Sequence, residues 1–90
     1  MKLFYLKNCP YCRQALAWIQ ELYQQDAKYQ RIPLEMIEES EQSELADTYD
    51  YYYVPCFFEG TKKLHEGAIT KEAIQKIFDD YLREENKWEY

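Results

Sequence analysis

The stretch Lys7-Asn8-Cys9-Pro10-Tyr11-Cys12 sets two thiols two residues apart. Three chemistries use that spacing: half of a tetrahedral metal clip, a structural disulfide, or a dithiol that shuttles electrons by making and breaking one S–S bond. A thiolate attacks where a thiol does not, and a cysteine at a helix N-terminus has its thiolate stabilised by unpaired N–H groups and the helix dipole. Pro10 suits the first position of a helix, where its missing N–H is no loss, so Cys9 falls at or beside the N-cap. Cys12 then lies one turn in, more buried, and within reach of the first sulfur to resolve a mixed disulfide. Lys7 adds positive charge if its side chain turns toward Cys9. For the metal reading, Cys56 and His65 would complete four ligands, against a C-x8-H spacing wider than the usual clip and a first half-site stiffened by Pro10. The plainer reading makes Cys56 a small buried hydrophobe in an apolar strand and His65 a solvent-facing residue on an edge strand.

Composition narrows the choice. Ninety residues make a single domain, residues 1–90, with a modest core. Hydrophobic residues at 47%, with ten tyrosines, let the chain fold despite a negative mean hydropathy. Seventeen acidic against eleven basic residues give a net charge of -6, which repels phosphates and anionic lipid, so neither nucleic acid nor membrane is expected as a partner. The N-terminus has too few apolar residues before Lys7 for a signal-peptide core, and no run approaches the roughly 18 residues of a membrane span, so a cytoplasmic location is expected. In a reducing compartment an odd set of three cysteines serves chemistry or metal more readily than a permanent crosslink.

The elements that must position the pair follow from periodicity. Residues 3–6, LFYL, are continuously apolar and suit a strand buried on both faces. From Pro10, Ala15, Leu16, Ile19, Leu22 and Tyr23 recur at helical spacing, predicting an amphipathic helix that ends near residue 26. Residues 31–37, RIPLEMI, alternate Ile32, Leu34 and Met36 with other residues, and Pro33 confines this strand to an edge. A short helix is expected from Ser40, with that serine as its cap. VPCFF at 54–58 and KKLHE at 62–66 flank Gly60-Thr61 as a hairpin. A last helix opens at Thr70 as N-cap, with Ile69 and Ile74 as a hydrophobic staple, and carries Ala73, Ile74, Ile77, Phe78, Tyr81 and Leu82 as its stripe, leaving EENKWEY as a frayed end. A right-handed crossover makes the first two strands parallel. The strands apolar on both faces belong inside, so the expected fold is α/β, a βαβαββα chain with a four-stranded mixed sheet of order 2-1-3-4 and three helices on its faces.

Placed in that order of elements, NCPYC at the opening of the first helix and VPCFF at residues 54–58 resemble a glutaredoxin of the thioredoxin-fold superfamily, over roughly residues 2–83. The resemblance implies a thiol-disulfide oxidoreductase in which Cys9 is the nucleophile, Cys12 the resolving thiol, and Pro55 a cis-proline facing them. It implies no tightly bound cofactor or metal, a monomer, a disulfide-containing protein or small thiol as partner, and glutathione or a thioredoxin reductase as electron source. The family's glutathione site carries over to Lys7, Cys9, Tyr11, Val54 and Pro55: Lys7 to pair a carboxylate, Tyr11 to line the groove, Val54 to offer backbone hydrogen bonds. The chain departs where the family has a Gly-Gly pair and a capping Asp. Residues 64–72, LHEGAITKE, put Glu66 at the first glycine and Thr70 at the cap, so a glutamyl carboxylate would meet an acid. Two other classes use the same cysteines: an iron-sulfur carrier built from Cys9 of two subunits and two small thiols, which Pro10 disfavours within the family, and a zinc-binding or interaction domain. Tyr51, Tyr52 and Tyr53 either pack their loop against the sheet or, at Tyr52 or Tyr53, wall the groove beside Cys9. Glu35, Glu38, Glu39, Glu41, Glu44 and Asp47 read as a solvated acidic face.

Overall fold

The computed structural model describes residues 1–86. Strand β1, Lys2–Tyr5, is followed by helix α1, Pro10–Gln25, then β2, Glu35–Glu38, the short α2, Ser43–Ala46, the hairpin of β3, Cys56–Glu59, and β4, Lys62–Glu66, and finally α3, Lys71–Asn86. The sheet has the order β2-β1-β3-β4, with β1 parallel to β2 and antiparallel to β3, and β3 antiparallel to β4. This is the expected mixed sheet with three helices, the topology of the thioredoxin fold. No helix among the described residues is long and apolar enough to cross a membrane.

Successive side chains of a strand point to opposite faces, so a central strand feeds two cores. Leu3 and Phe57 enter the core under α1 and α3, with Ala15, Ile19, Leu22, Ile74, Phe78 and Leu82. Phe4, Cys56 and Phe58 enter the core on the other face, with Ile37 and Ala46. The LFYL run is apolar on both sides because each face of β1 is covered. Pro10 opens α1 at its first turn, and Asp26 N–H closes the last turn on Leu22 O at 3.1 Å. Thr70 caps α3 as expected, its Oγ1 accepting from Ala73 N–H at 3.1 Å, and Ile69 packs against the same core as Ile74. Gly60 turns the hairpin at φ 60°, in the left-handed region where glycine is the default residue.

Four expectations are corrected. The second strand starts at Glu35 rather than near residue 31, because residues 27–31 form a 3₁₀ turn whose N-cap Asp26 accepts from Lys28 N–H. The Ile32, Leu34, Met36 alternation is therefore not a strand face: Ile37 is the buried apolar position of β2, and Met36 is exposed. Ser40 does not cap the short helix, which begins at Ser43 after Gln42; the Ser40 N–H and hydroxyl bond the Glu38 carboxylate instead. Helix α3 runs to Asn86, so the first residues of EENKWEY belong to it, and the remainder of that segment, 87–90, lies outside the described residues.

Candidate functional site

The pairing registers bring one set of loops to one end of the sheet. Tyr5 lies opposite Glu38, Phe4 opposite Cys56, and Cys56 opposite Glu66. The 6–9 loop that enters α1, the end of β2, the Val54-Pro55 entry into β3 and the Glu66-Gly67 exit from β4 therefore share that end. The Val54–Pro55 peptide is cis, as the resemblance implies, and the buried Pro55 accepts at its carbonyl from Gly67 N–H at 2.9 Å.

The 6–9 loop is held at Leu6, Lys7 and Cys9. Cys9 N–H donates to Leu6 O at 3.1 Å, Lys7 N–H to Glu38 Oε2 at 3.0 Å, and Arg13 Nε to Lys7 O at 3.1 Å. Cys9 is the N-cap residue of α1 and half-exposed, in extended backbone conformation. Its neutral thiol closes no capping bond, yet the sulfur faces donors that favour its anion. The Cys12 N–H, the Cys12 thiol and the Tyr11 N–H together hold the Cys9 pKa below the ordinary thiol value, against a smaller opposing effect of burial. Cys12 is fully buried, and burial pushes its thiol up to about 12, with Leu6 N–H 3.4 Å from its Sγ opposing the rise. All three cysteines are free thiols. The pair is thus asymmetric: an accessible sulfur biased toward thiolate and a buried sulfur biased toward thiol.

The other expected site residues differ in exposure and partners. Tyr11 is 64% exposed on the first turn of α1. Val54 is half-buried against the Phe4 and Cys56 core. Lys7 is at the site, but its ammonium lies 4.0 Å from Glu41 Oε1, and the groups that lower Cys9 are amides and the neighbouring thiol. Among the three tyrosines, Tyr51 packs on the rings of Phe4 and Phe58 and donates to Glu39 Oε1 at 2.7 Å. Tyr52 and Tyr53 are 85% and 70% exposed. Cys56 is buried in the core on the α2 face, where burial pushes its thiol up to about 12. His65 Nε2 lies 2.9 Å from the Ala68 carbonyl, and among the described residues no three His, Cys, Asp or Glu side chains gather into a metal-holding group.

Two carboxylates carry structural work that the sequence reading missed. Glu38 is not part of a solvated face: it is 5% exposed and accepts from Lys7 N–H, Ser40 N–H at 2.7 Å and Ser40 Oγ at 2.6 Å. The Ser40 hydroxyl is the largest of the effects that hold its carboxyl down to about 2. Glu66 accepts from the N–H groups of Tyr52 and Tyr53 at one oxygen and from Lys63 Nζ at 2.7 Å at the other, and the Lys63 bond leads in holding its carboxyl down to about 2. The sequence signal for the second was Glu66 itself, an acid where the resembled pattern has a glycine, next to Gly67, which takes φ 90° beside Tyr53. A scan of protein-family models and a search of curated proteins each find no match to this chain.

Proposed function

We propose that this chain is a glutaredoxin-like thiol-disulfide oxidoreductase that reduces protein or low-molecular-weight disulfides, with Cys9 as nucleophile and Cys12 as resolving thiol. The observation that supports it best is the asymmetry of the pair: helix-terminal amides favour the Cys9 thiolate while burial keeps Cys12 protonated. In the proposed cycle the Cys9 thiolate attacks a substrate disulfide, forming a mixed disulfide and expelling one substrate thiolate. Cys12 then loses its proton and attacks the Cys9 sulfur, which releases the second substrate thiolate and leaves a Cys9–Cys12 disulfide. An external thiol or dithiol returns two electrons; glutathione and a thioredoxin reductase are the candidate donors. Once Cys9 sits in a mixed disulfide, the hydrogen bond and charge of its thiolate no longer raise Cys12, so the Cys12 proton is held less tightly and passes, directly or through water, to the expelled substrate thiolate. Val54 and Tyr11 are the proposed walls of the substrate groove, Val54 through its backbone.

The test compares two single variants. Cys9→Ser abolishes turnover of a small disulfide, whereas Cys12→Ser still attacks and accumulates mixed disulfides, seen as mass adducts. Equal loss of both activities, with no adduct on Cys12→Ser, would refute the assigned roles.

A further inference from the structure

Tyr52 and Tyr53 turn two consecutive backbone N–H groups toward one point, and the Lys63 ammonium approaches the same place. Two convergent amide donors beside a cation are the chemistry of a carboxylate site. In this chain the site is already filled from within, by the Glu66 carboxylate. Its location matters because Tyr53 leads directly into Val54-Pro55, and the residue after Glu66 bonds the Pro55 carbonyl. Lys7, the other cation expected to meet a substrate carboxylate, faces Glu41. The side chains of Tyr52 and Tyr53, whose N–H groups hold Glu66, are themselves exposed.

We propose that Glu66 is a specificity-determining residue: its carboxylate occupies the anion position beside Val54-Pro55, so the preferred substrate is a disulfide without a carboxylate there, a cysteine within an uncharged stretch of polypeptide. This rests on the oxidoreductase reading of Cys9 and Cys12. A substrate carrying a carboxylate at that place finds both amides and the Lys63 ammonium taken and meets the negative charge of Glu66. Deleting the Glu66 side chain leaves two amide donors and one ammonium open, and the position becomes attractive to an anion.

The experiment is a single-turnover reaction of the prereduced protein with two substrates. One is the mixed disulfide of glutathione with 2-mercaptoethanol, which carries two carboxylates; the other is the same compound made with glutathione diethyl ester. The two electrons come from the protein dithiol, which ends as the Cys9–Cys12 disulfide while both substrate halves leave as thiols. The readout is the ratio of second-order rate constants, acid over ester. Glu66→Ala raises this ratio by at least about tenfold, the factor that one charge-assisted hydrogen bond supplies. Glu66→Gln still fills the position while removing its charge, and raises the ratio by clearly less than Glu66→Ala does. A ratio unmoved by Glu66→Ala, or raised as much by Glu66→Gln, overturns the proposal. Should Glu66→Ala fail to fold, Lys63→Met decides: leaving Glu66 uncompensated lowers the ratio by about threefold, and an unchanged ratio overturns the proposal. If the unmodified protein reacts with neither compound, it is the oxidoreductase reading that fails.

Discussion

The asymmetry of the cysteine pair has a magnitude that alkylation can read. A thiol at about 12 is ionised in roughly one molecule in 10⁵ at pH 7. Cys9 lies below the ordinary thiol value of 9.0, so more than roughly one molecule in 10² carries its thiolate. The thiolate populations differ by at least about 10³. Nucleophilicity falls with pKa at a slope of about 0.4–0.5, which returns at most about 1.5 of those three decades to Cys12. Ionisation alone therefore makes Cys9 at least about 30-fold faster, and the complete burial of Cys12 adds to it. Cys56 is buried with a thiol near 12 and stands with Cys12. Treating the fully reduced protein with iodoacetamide at pH 7 and following it by intact mass and peptide mapping should give a single adduct on Cys9, with the second and third at least about 30-fold slower. The pH dependence of the first alkylation should inflect below 9.0. In Cys12→Ala the inflection should rise, because a thiol donor is lost, yet stay below 9.0 because the Cys12 N–H, the largest contribution, remains. Two or three adducts appearing at similar rates, or an inflection at or above 9.0, would refute the helix-terminus account.

Three further outcomes follow from the packing. Phe78, fully buried between the rings of Tyr23 and Tyr29, should cost about 3–5 kcal/mol as Phe78→Ala, measured by urea unfolding, a large share of the stability of a domain this size. Thr70→Ala should cost about 1 kcal/mol and Thr70→Ser should restore most of it, since the cap bond to Ala73 N–H needs only the hydroxyl. Glu38 is held at about 2 in the fold against an ordinary 4.5, so its contribution to stability is complete above pH 4.5 and is lost as the pH falls through about 2. Glu38→Gln should accordingly lower Tm most near neutrality, with the gap to the unmodified protein closing between pH 4.5 and 2; a gap independent of pH would contradict this.

How much of this was readable before folding depends on how local each cause is. Helix α1 follows from Pro10 and the 3.6 period of Ala15, Ile19 and Leu22, and α3 from Thr70 and the stripe through Ile74 and Phe78, because caps and periodicity act within a few residues. The sheet order follows from which strands are apolar on both faces, a property each strand carries alone. The second strand misled because Ile32, Leu34 and Met36 mimic a period of two across a 3₁₀ turn. Ile32 is buried as the residue after that turn and Met36 is left exposed. Ser40 had the chemistry of a cap, but its hydroxyl donates to the Glu38 carboxylate, and the Gln42 N–H that a cap at Ser40 would receive goes to the Glu38 carbonyl. Glu66 stood out as an acid where the glutaredoxin pattern has glycine. Its partners at Tyr52 and Tyr53 are 14 and 13 residues away in sequence, and only the register of β4 on β3 brings them together.

That long-range pairing bears on why the Cys9 pKa can lie low in an acidic chain. A carboxylate near a thiol ordinarily raises its pKa. Glu38 and Glu66 both belong to the sheet end that carries Cys9, and each meets three donors: Lys7 N–H with the N–H and hydroxyl of Ser40 for Glu38, and Tyr52 N–H, Tyr53 N–H and Lys63 for Glu66. They hold the 6–9 and 52–55 loops, and while Glu66 adds to the rise of the buried Cys56 thiol, the Cys9 sulfur answers to amides, a thiol and burial. Glu39, satisfied at one oxygen by the Tyr51 hydroxyl, does act on a cysteine, and the one it raises is Cys12. The carboxylates that tie down the loops thus leave the helix-terminal amides to the sulfur of Cys9, and the carboxylate charge that does reach a thiol adds to what burial already does at Cys12 and Cys56, the two sulfurs kept protonated.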